Sequence, residues 1–140
     1  MKTLYTAVAT AKGGRNGQVR TDNGVLDVTV RMPKELGGAN NDHTNPEQLF
    51  AAGYAACFDS ALNRVIQMSG KTTGETSVQA NVSIGQIDNG AFGLAAKLEI
   101  NIPGVSTEEA QALADKAHQI CPYSNATRNN MDVLITVTNN

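Results

Sequence analysis

The segment Thr44-Asn45-Pro46-Glu47-Gln48, followed by Leu49 to Phe58, constrains the fold more than any other part of the chain. Asn45 has a side chain that suits an N-cap. Pro46 fits the first helical position, because the N–H it lacks would have no partner there, and Gln48 completes an Asn-x-x-Gln capping box. From Leu49 to Phe58 apolar and small residues take nearly every position instead of one stripe, the pattern of a helix buried on all sides. Beyond it Phe58, Leu62, Val65 and Ile66 keep a helical stripe while Asn63, Arg64 and Gln67 face out, until Ser69-Gly70 stops the helix. The spacing predicts one helix over about 46 to 68, with the Cys57 thiol in the core rather than on the surface.

A chain of 140 residues has room for a single domain, 1–140, built around such a helix. Its 11 Lys and Arg nearly cancel its 13 Asp and Glu, and no basic stripe forms, so neither nucleic acid nor a membrane surface is an expected partner. A small neutral ligand fits better. Met1 to Thr6 carries no apolar signal core, and no stretch approaches the ~18 continuous apolar residues of a membrane helix. The expected location is the cytoplasm. Two cysteines there are not expected to form a permanent structural bridge and are better suited to metal or redox chemistry.

Leu4 to Ala11 reads as a strand, and Lys12-Gly13-Gly14-Arg15-Asn16-Gly17 as a loop carrying Arg15. Val19 to Asp22, Asn23-Gly24 and the alternating Leu26, Val28, Val30 and Met32 read as a hairpin with a type I′ turn. Pro33 to Thr44 has no periodicity. After the long helix, Val78 to Ile84 and Leu94 to Ile102 alternate on either side of Asp88-Asn89-Gly90, a second hairpin. Ser106-x-x-Glu109 caps a second helix through Ala110, Leu113, Ala114 and Ala117. It leads to Cys121 at a junction, because Pro122 cannot continue a helix but can begin one. Met131, Val133, Ile135 and Val137 form a closing strand. The order β-β-β-α-β-β-α-β predicts an α+β domain with a mostly antiparallel sheet. A first helix that is apolar all round needs more cover than one sheet and one short helix supply, so an obligate homodimer is expected.

Taken singly, the residues able to do chemistry have ordinary explanations. Cys57 fits as an inert core thiol, Cys121 as a helix-junction residue, Arg15 as a solvated loop cation and Glu47 as a carboxylate favoured by the helix dipole. Three other functions use the same atoms. A cysteine hydrolase would pair Cys57 with His118, but leaves Arg15 and Cys121 without roles. A zinc site from Cys57, Cys121, His43 and His118 lacks any Cys-x-x-Cys or His-x-x-x-His pairing. A redox-silent binding module would use none of the thiol chemistry.

Together the motifs say more. Thr44-Asn45-Pro46-Glu47-Gln48-Leu49-Phe50-Ala51-Ala52-Gly53-Tyr54 with Ala56-Cys57-Phe58, and Lys116 to Arg128 around Cys121-Pro122-Tyr123-Ser124, closely resemble the organic hydroperoxide resistance proteins of the osmotically inducible protein C superfamily. The resemblance extends to Gly13-Gly14-Arg15-Asn16-Gly17 and Leu36-Gly37-Gly38, and so spans essentially the whole chain. It implies an intertwined homodimer that reduces organic and fatty-acid hydroperoxides, with neither cofactor nor metal. Cys57 matches the peroxidatic cysteine, Cys121 the resolving one, and Arg15 and Glu47 their polar partners. Dihydrolipoyl groups on lipoylated proteins are the implied reductant. No functional position is altered, although Asp59 stands where many relatives carry a less polar residue.

The chemistry agrees with that resemblance. A thiol of pKa ~8.5 is only about 3% ionised at pH 7, whereas one lowered to ~6 is about 90% ionised. Burial opposes ionisation, so Arg15 is the expected cation and Glu47 its orienting carboxylate. Phe50, Tyr54 and Phe92 are the expected apolar lining for bulky substrates. Glu47 and Cys57 are separated by roughly 15 Å along one helix and about 80° around it. Two antiparallel helices in a dimer are therefore expected to bring Glu47 of one protomer toward Cys57 of its partner.

Overall fold

The computed structural model describes residues 1–140, which fall into two compact units, Met1–Leu49 and Phe50–Asn140. In the first, β1 (Ala9–Lys12), β2 (Gln18–Thr21) and β3 (Asp27–Thr29) form an antiparallel sheet in that order. β1 begins at Ala9 rather than Leu4, because its partner β2 ends at Thr21, which pairs with Ala9. Leu4 and Tyr5 run past the ladder and stand exposed. The β2–β3 connection is also not the expected type I′ turn. Both central residues would need positive φ, and only Gly24 has it. The Thr21 N–H instead donates to Leu26 O, and Asn23 Oδ1 accepts from Val25 N–H inside a wider loop. The sheet ends at Thr29, after which Val30 makes a lone parallel bridge with Thr44.

The long helix α1 (Pro46–Ser69) opens with Asn45 Oδ1 accepting the Gln48 N–H at 2.9 Å, which is the Asn45 half of the expected capping box. It is not buried on all sides within one chain. Tyr54, Phe58, Ala61, Leu62, Val65 and Ile66 are buried on one face, while Ala52 and Ala56 lie exposed. An unbroken run of small and apolar residues fixes how wide the apolar surface is, but not which part of it one chain covers.

In the second unit β4 (Ser77–Gln86) and β5 (Phe92–Asn101) form a ten-pair antiparallel hairpin. The chain then passes through α2 (Thr107–Ile120) and α3 (Pro122–Thr127) into β6 (Val133–Thr138), which pairs with β5 in parallel. A crossover through helices returns the chain in the same direction, which a hairpin cannot do. The strands thus form two separate three-stranded sheets, and one of the four strand pairings is parallel. Both halves of the α2 capping box are made: Glu109 N–H donates to Ser106 Oγ, and Ser106 N–H to the Glu109 carboxylate. Phe58 and Leu62 of α1, Leu98 and Ile100 of β5, and Leu113 and Ala117 of α2 share one core that includes Cys121. Each such large side chain stabilises the fold by roughly 1.5–3 kcal/mol. No helix is long and apolar enough to cross a membrane.

Candidate active site

Two constellations carry the reactive groups, one in each unit. In the first, glycines shape the loop that holds Arg15. Gly13 adopts φ +80°, and a Cβ at Gly17 would fall 1.7 Å from the Lys12 carbonyl oxygen, so only glycine closes this 3-10 turn over Gly14–Asn16. Arg15 then meets Glu47 end-on, Nη1 donating to Oε2 at 2.8 Å and Nη2 to Oε1 at 2.6 Å. Such a fork fixes the plane of the guanidinium as well as its position. The Arg15 hydrogen bond holds the Glu47 carboxyl below its usual range, against the opposing effect of burial, and the pairing raises Arg15 above its own. Both groups therefore remain charged at neutral pH.

In the second, Cys57 on α1 and Cys121 at the α2–α3 junction are free thiols with their Sγ atoms 3.8 Å apart. Cys121 is fully buried and Cys57 half-buried. Cys121 breaks the helix with φ −64° and ψ 123°, serving as C-cap of α2 and N-cap of α3. A disulfide requires about 2.05 Å between sulfurs, so bonding needs an approach of roughly 1.8 Å and no refolding. Burial pushes the Cys57 thiol up. A hydrogen bond from the Tyr123 backbone N–H acts in the opposite direction, and the neighbouring Cys121 adds to the rise. This is the reverse of the depressed thiol expected from the sequence, because in the single chain desolvation outweighs the one favourable bond.

Phe50, Tyr54 and Tyr123 pack with ring centroids 5.6–6.2 Å apart. Phe50 and Tyr123 line a cavity of about 820 Å³ together with Ile87, Phe92, Leu94 and Met131. Two of the three expected lining residues, Phe50 and Phe92, thus meet on one cavity. Tyr54 does not line it: the side chain is fully buried, and its hydroxyl hydrogen-bonds Ser124 Oγ at 3.0 Å and Thr127 Oγ1 at 3.1 Å. It fastens α3 to α1 and supports the aromatic wall from behind. Neither Ser124 nor Thr127 stands out in the sequence, where two hydroxyls a helical turn apart within a proline-started helix are their only signal.

His118 does not partner Cys57. Its buried Nδ1 has no hydrogen-bond partner, its ring lies 6.4 Å from that of Phe58, and burial, then Arg128, lowers its pKa. The sulfur of Cys57 faces Cys121 instead, which leaves a hydrolase pair unformed. Nor do Cys57, Cys121, His43 and His118 assemble: no group of three or more His, Cys, Asp or Glu is disposed to hold a metal ion.

The family model described as OsmC-like protein matches residues 38–136. An organic hydroperoxide resistance protein of Xanthomonas axonopodis pv. citri is 55% identical over 97% of this chain and 96% of its own length. Organic hydroperoxide resistance protein OhrA of Bacillus subtilis is 48% identical over 96% of each. The crystal structure of an organic hydroperoxide resistance protein from Elizabethkingia anophelis superposes with a TM-score of 0.97, at 67% identity and full coverage of both chains. The family match, the identity over nearly the whole length and the shared fold agree, and this chain belongs to the OsmC-like family, in its organic hydroperoxide resistance branch.

Proposed function

We propose that this chain is a cysteine-based peroxidase that reduces organic hydroperoxides to alcohols. The observation that carries this reading is the pair of free thiols 3.8 Å apart, one half-exposed and the other buried at a helix junction. The Cys57 thiolate attacks the distal peroxide oxygen; an S–O bond forms, the O–O bond breaks, and the departing alkoxide takes a proton to become the alcohol. Cys121 then attacks the Cys57 sulfenic acid, forming the disulfide and releasing water. Two thiols supply the two electrons. The cavity bounded by Phe50 and Phe92 accommodates the organic group, and apolar contact there contributes ~25 cal/mol per Å² buried. An external dithiol, such as a lipoylated protein, returns the disulfide to thiols in the cytoplasm.

The Arg15–Glu47 fork offers the fixed cation that a thiolate and a departing alkoxide both need. The single chain raises the Cys57 pKa, so that cation has work to do. A homodimer is part of the proposal. Leu4, Tyr5 and Val8 are exposed on the first unit, and Ala52 and Ala56 on α1 in the second, exposed apolar side chains of the kind a second copy covers. Antiparallel α1 helices would then bring Glu47 of one protomer to Cys57 of its partner. Mixing chains carrying Glu47→Ala with chains carrying Cys57→Ser tests this: one working site per mixed dimer is expected, and a mixed dimer as inactive as its parents rules the shared site out.

The function itself is tested by adding one equivalent of cumene hydroperoxide to reduced protein. Both thiols are expected to disappear as cumyl alcohol forms, and cumene hydroperoxide to react faster than hydrogen peroxide. Unchanged thiols, or equal rates with the two peroxides, contradict the reading.

A further inference from the structure

Pro122 leaves a defect at the junction that carries Cys121. In a continuing helix the His118 carbonyl would accept from the N–H of residue 122, and proline has none. The preceding carbonyl is still served, because Cys121 N–H donates to Ala117 O at 2.9 Å. The His118 carbonyl is satisfied from elsewhere: Arg128, six residues past Pro122, reaches back and donates from Nη2 at 2.6 Å. Its Nη1 donates to Asn125 Oδ1 at 2.7 Å, which sets the direction of the guanidinium. Arg128 is itself held, as C-cap of α3 with its N–H on Ser124 O, and is followed by Asn129 in the left-handed region at φ +62°. The guanidinium thus ties the far end of α3 to the last turn of α2, and Cys121 sits at the bend between them.

We infer that Arg128 is a positioning residue for the second chemical step: by closing α3 back onto the His118 carbonyl, it fixes the bend that holds Cys121 Sγ within reach of Cys57. The inference rests on the proposed peroxidase reading, in which Cys121 captures a Cys57 sulfenic acid. In that capture the Cys121 sulfur attacks Cys57 Sγ, the S–S bond forms as the S–O bond breaks, and hydroxide leaves with the proton from Cys121 as water. The opposite side of α3 is pinned to α1 through Tyr54, Ser124 and Thr127. Without Arg128 the end of α2 loses a charge-assisted hydrogen bond at the point where the thiol turns, and Cys121 spends less time in attacking geometry. Peroxide attack at Cys57 needs nothing from Arg128, so the two steps separate.

The test is a single-turnover quench-flow series on full-length protein with cumene hydroperoxide. Sulfenic acid is trapped at early times and disulfide is read by non-reducing mass analysis. In Arg128→Ala the first step is expected to keep its wild-type rate, while disulfide formation slows roughly tenfold, the scale of one lost charged hydrogen bond. Cys57 sulfinic acid then accumulates under excess peroxide. Arg128→Lys, which retains a cationic donor, recovers most of the rate, and Arg128→Met, which keeps only the stem, does not. Should Arg128→Ala fail to fold, the Lys and Met variants carry the comparison. Disulfide formation at the wild-type rate in Arg128→Met, or an equal loss in Lys and Met, overturns the inference. Failure of the wild-type protein itself to form a disulfide would instead remove the peroxidase reading beneath it.

Discussion

Gly53 on α1 lies so close to Tyr123 on α3 that a Cβ at position 53 would come within 2.7 Å of the tyrosine Oη. The ring of Tyr123 lies over this glycine, and the same residue's backbone N–H reaches Cys57. Gly53→Ala must displace the ring, and the packed ring is expected to carry α3 with it. Overpacking of this kind costs ~1–3 kcal/mol. The urea midpoint is expected to fall accordingly and disulfide formation to slow, because Cys121 heads the helix that moves. An unchanged midpoint and an unchanged rate would mean that the Tyr123 ring swings away without moving its backbone.

Tyr54→Phe removes the hydroxyl shared by Ser124 and Thr127. Thr127 keeps partners in the Tyr123 and Ser124 carbonyls, whereas the fully buried Ser124 hydroxyl keeps none. The cost is expected to be about 1–3 kcal/mol, the usual penalty for stranding a buried polar group. Adding Ser124→Ala then costs less than it does in the wild-type background. Denaturant titrations of the two single variants and the double check this, and strict additivity would contradict it.

The parts of the fold that sequence made legible are those whose cause is local. The Ser106–Glu109 box, the Asn45 cap, the alternation of β4 and β5 and the Cys121-Pro122 break are each written in a few neighbouring residues. The features that differ from expectation depend on distant partners. The start of β1 is set by where β2 ends, and the parallel β5–β6 pairing follows from the helical crossover. Arg128 is ordinary in sequence, and its part emerges only because Pro122 leaves a carbonyl without its donor. Among the candidate residues, Arg15 and Glu47 are legible as types, but their end-on, two-pronged geometry is not. Tyr54 shows the converse: an aromatic one turn from a reactive thiol suggests a lining role, and its burial assigns it to packing.

Glu47 makes stability depend on pH. Its carboxyl is held below the usual range chiefly by the Arg15 hydrogen bond, with burial opposing. A carboxylate depressed in the folded state contributes stability above its unfolded pKa of ~4.3, and that contribution is lost as pH falls through the lower folded value. Wild type is expected to exceed Glu47→Gln by about 1 kcal/mol at neutral pH, and the gap to close in acid. Urea midpoints of both proteins from neutral pH to pH ~3 read this directly. A gap that stays constant or widens in acid would contradict it.

The assignment of Cys57 as the attacking thiol and Cys121 as its resolving partner is tested most directly by mass analysis of single-cysteine variants after one equivalent of cumene hydroperoxide. Cys121→Ser is expected to complete one fast turnover and carry a single added oxygen on Cys57, advancing to the sulfinic acid under excess peroxide. Cys57→Ser is expected to keep its unmodified mass and consume no peroxide at a comparable rate. A fast first turnover in Cys57→Ser, with the added oxygen on Cys121, would contradict the assignment.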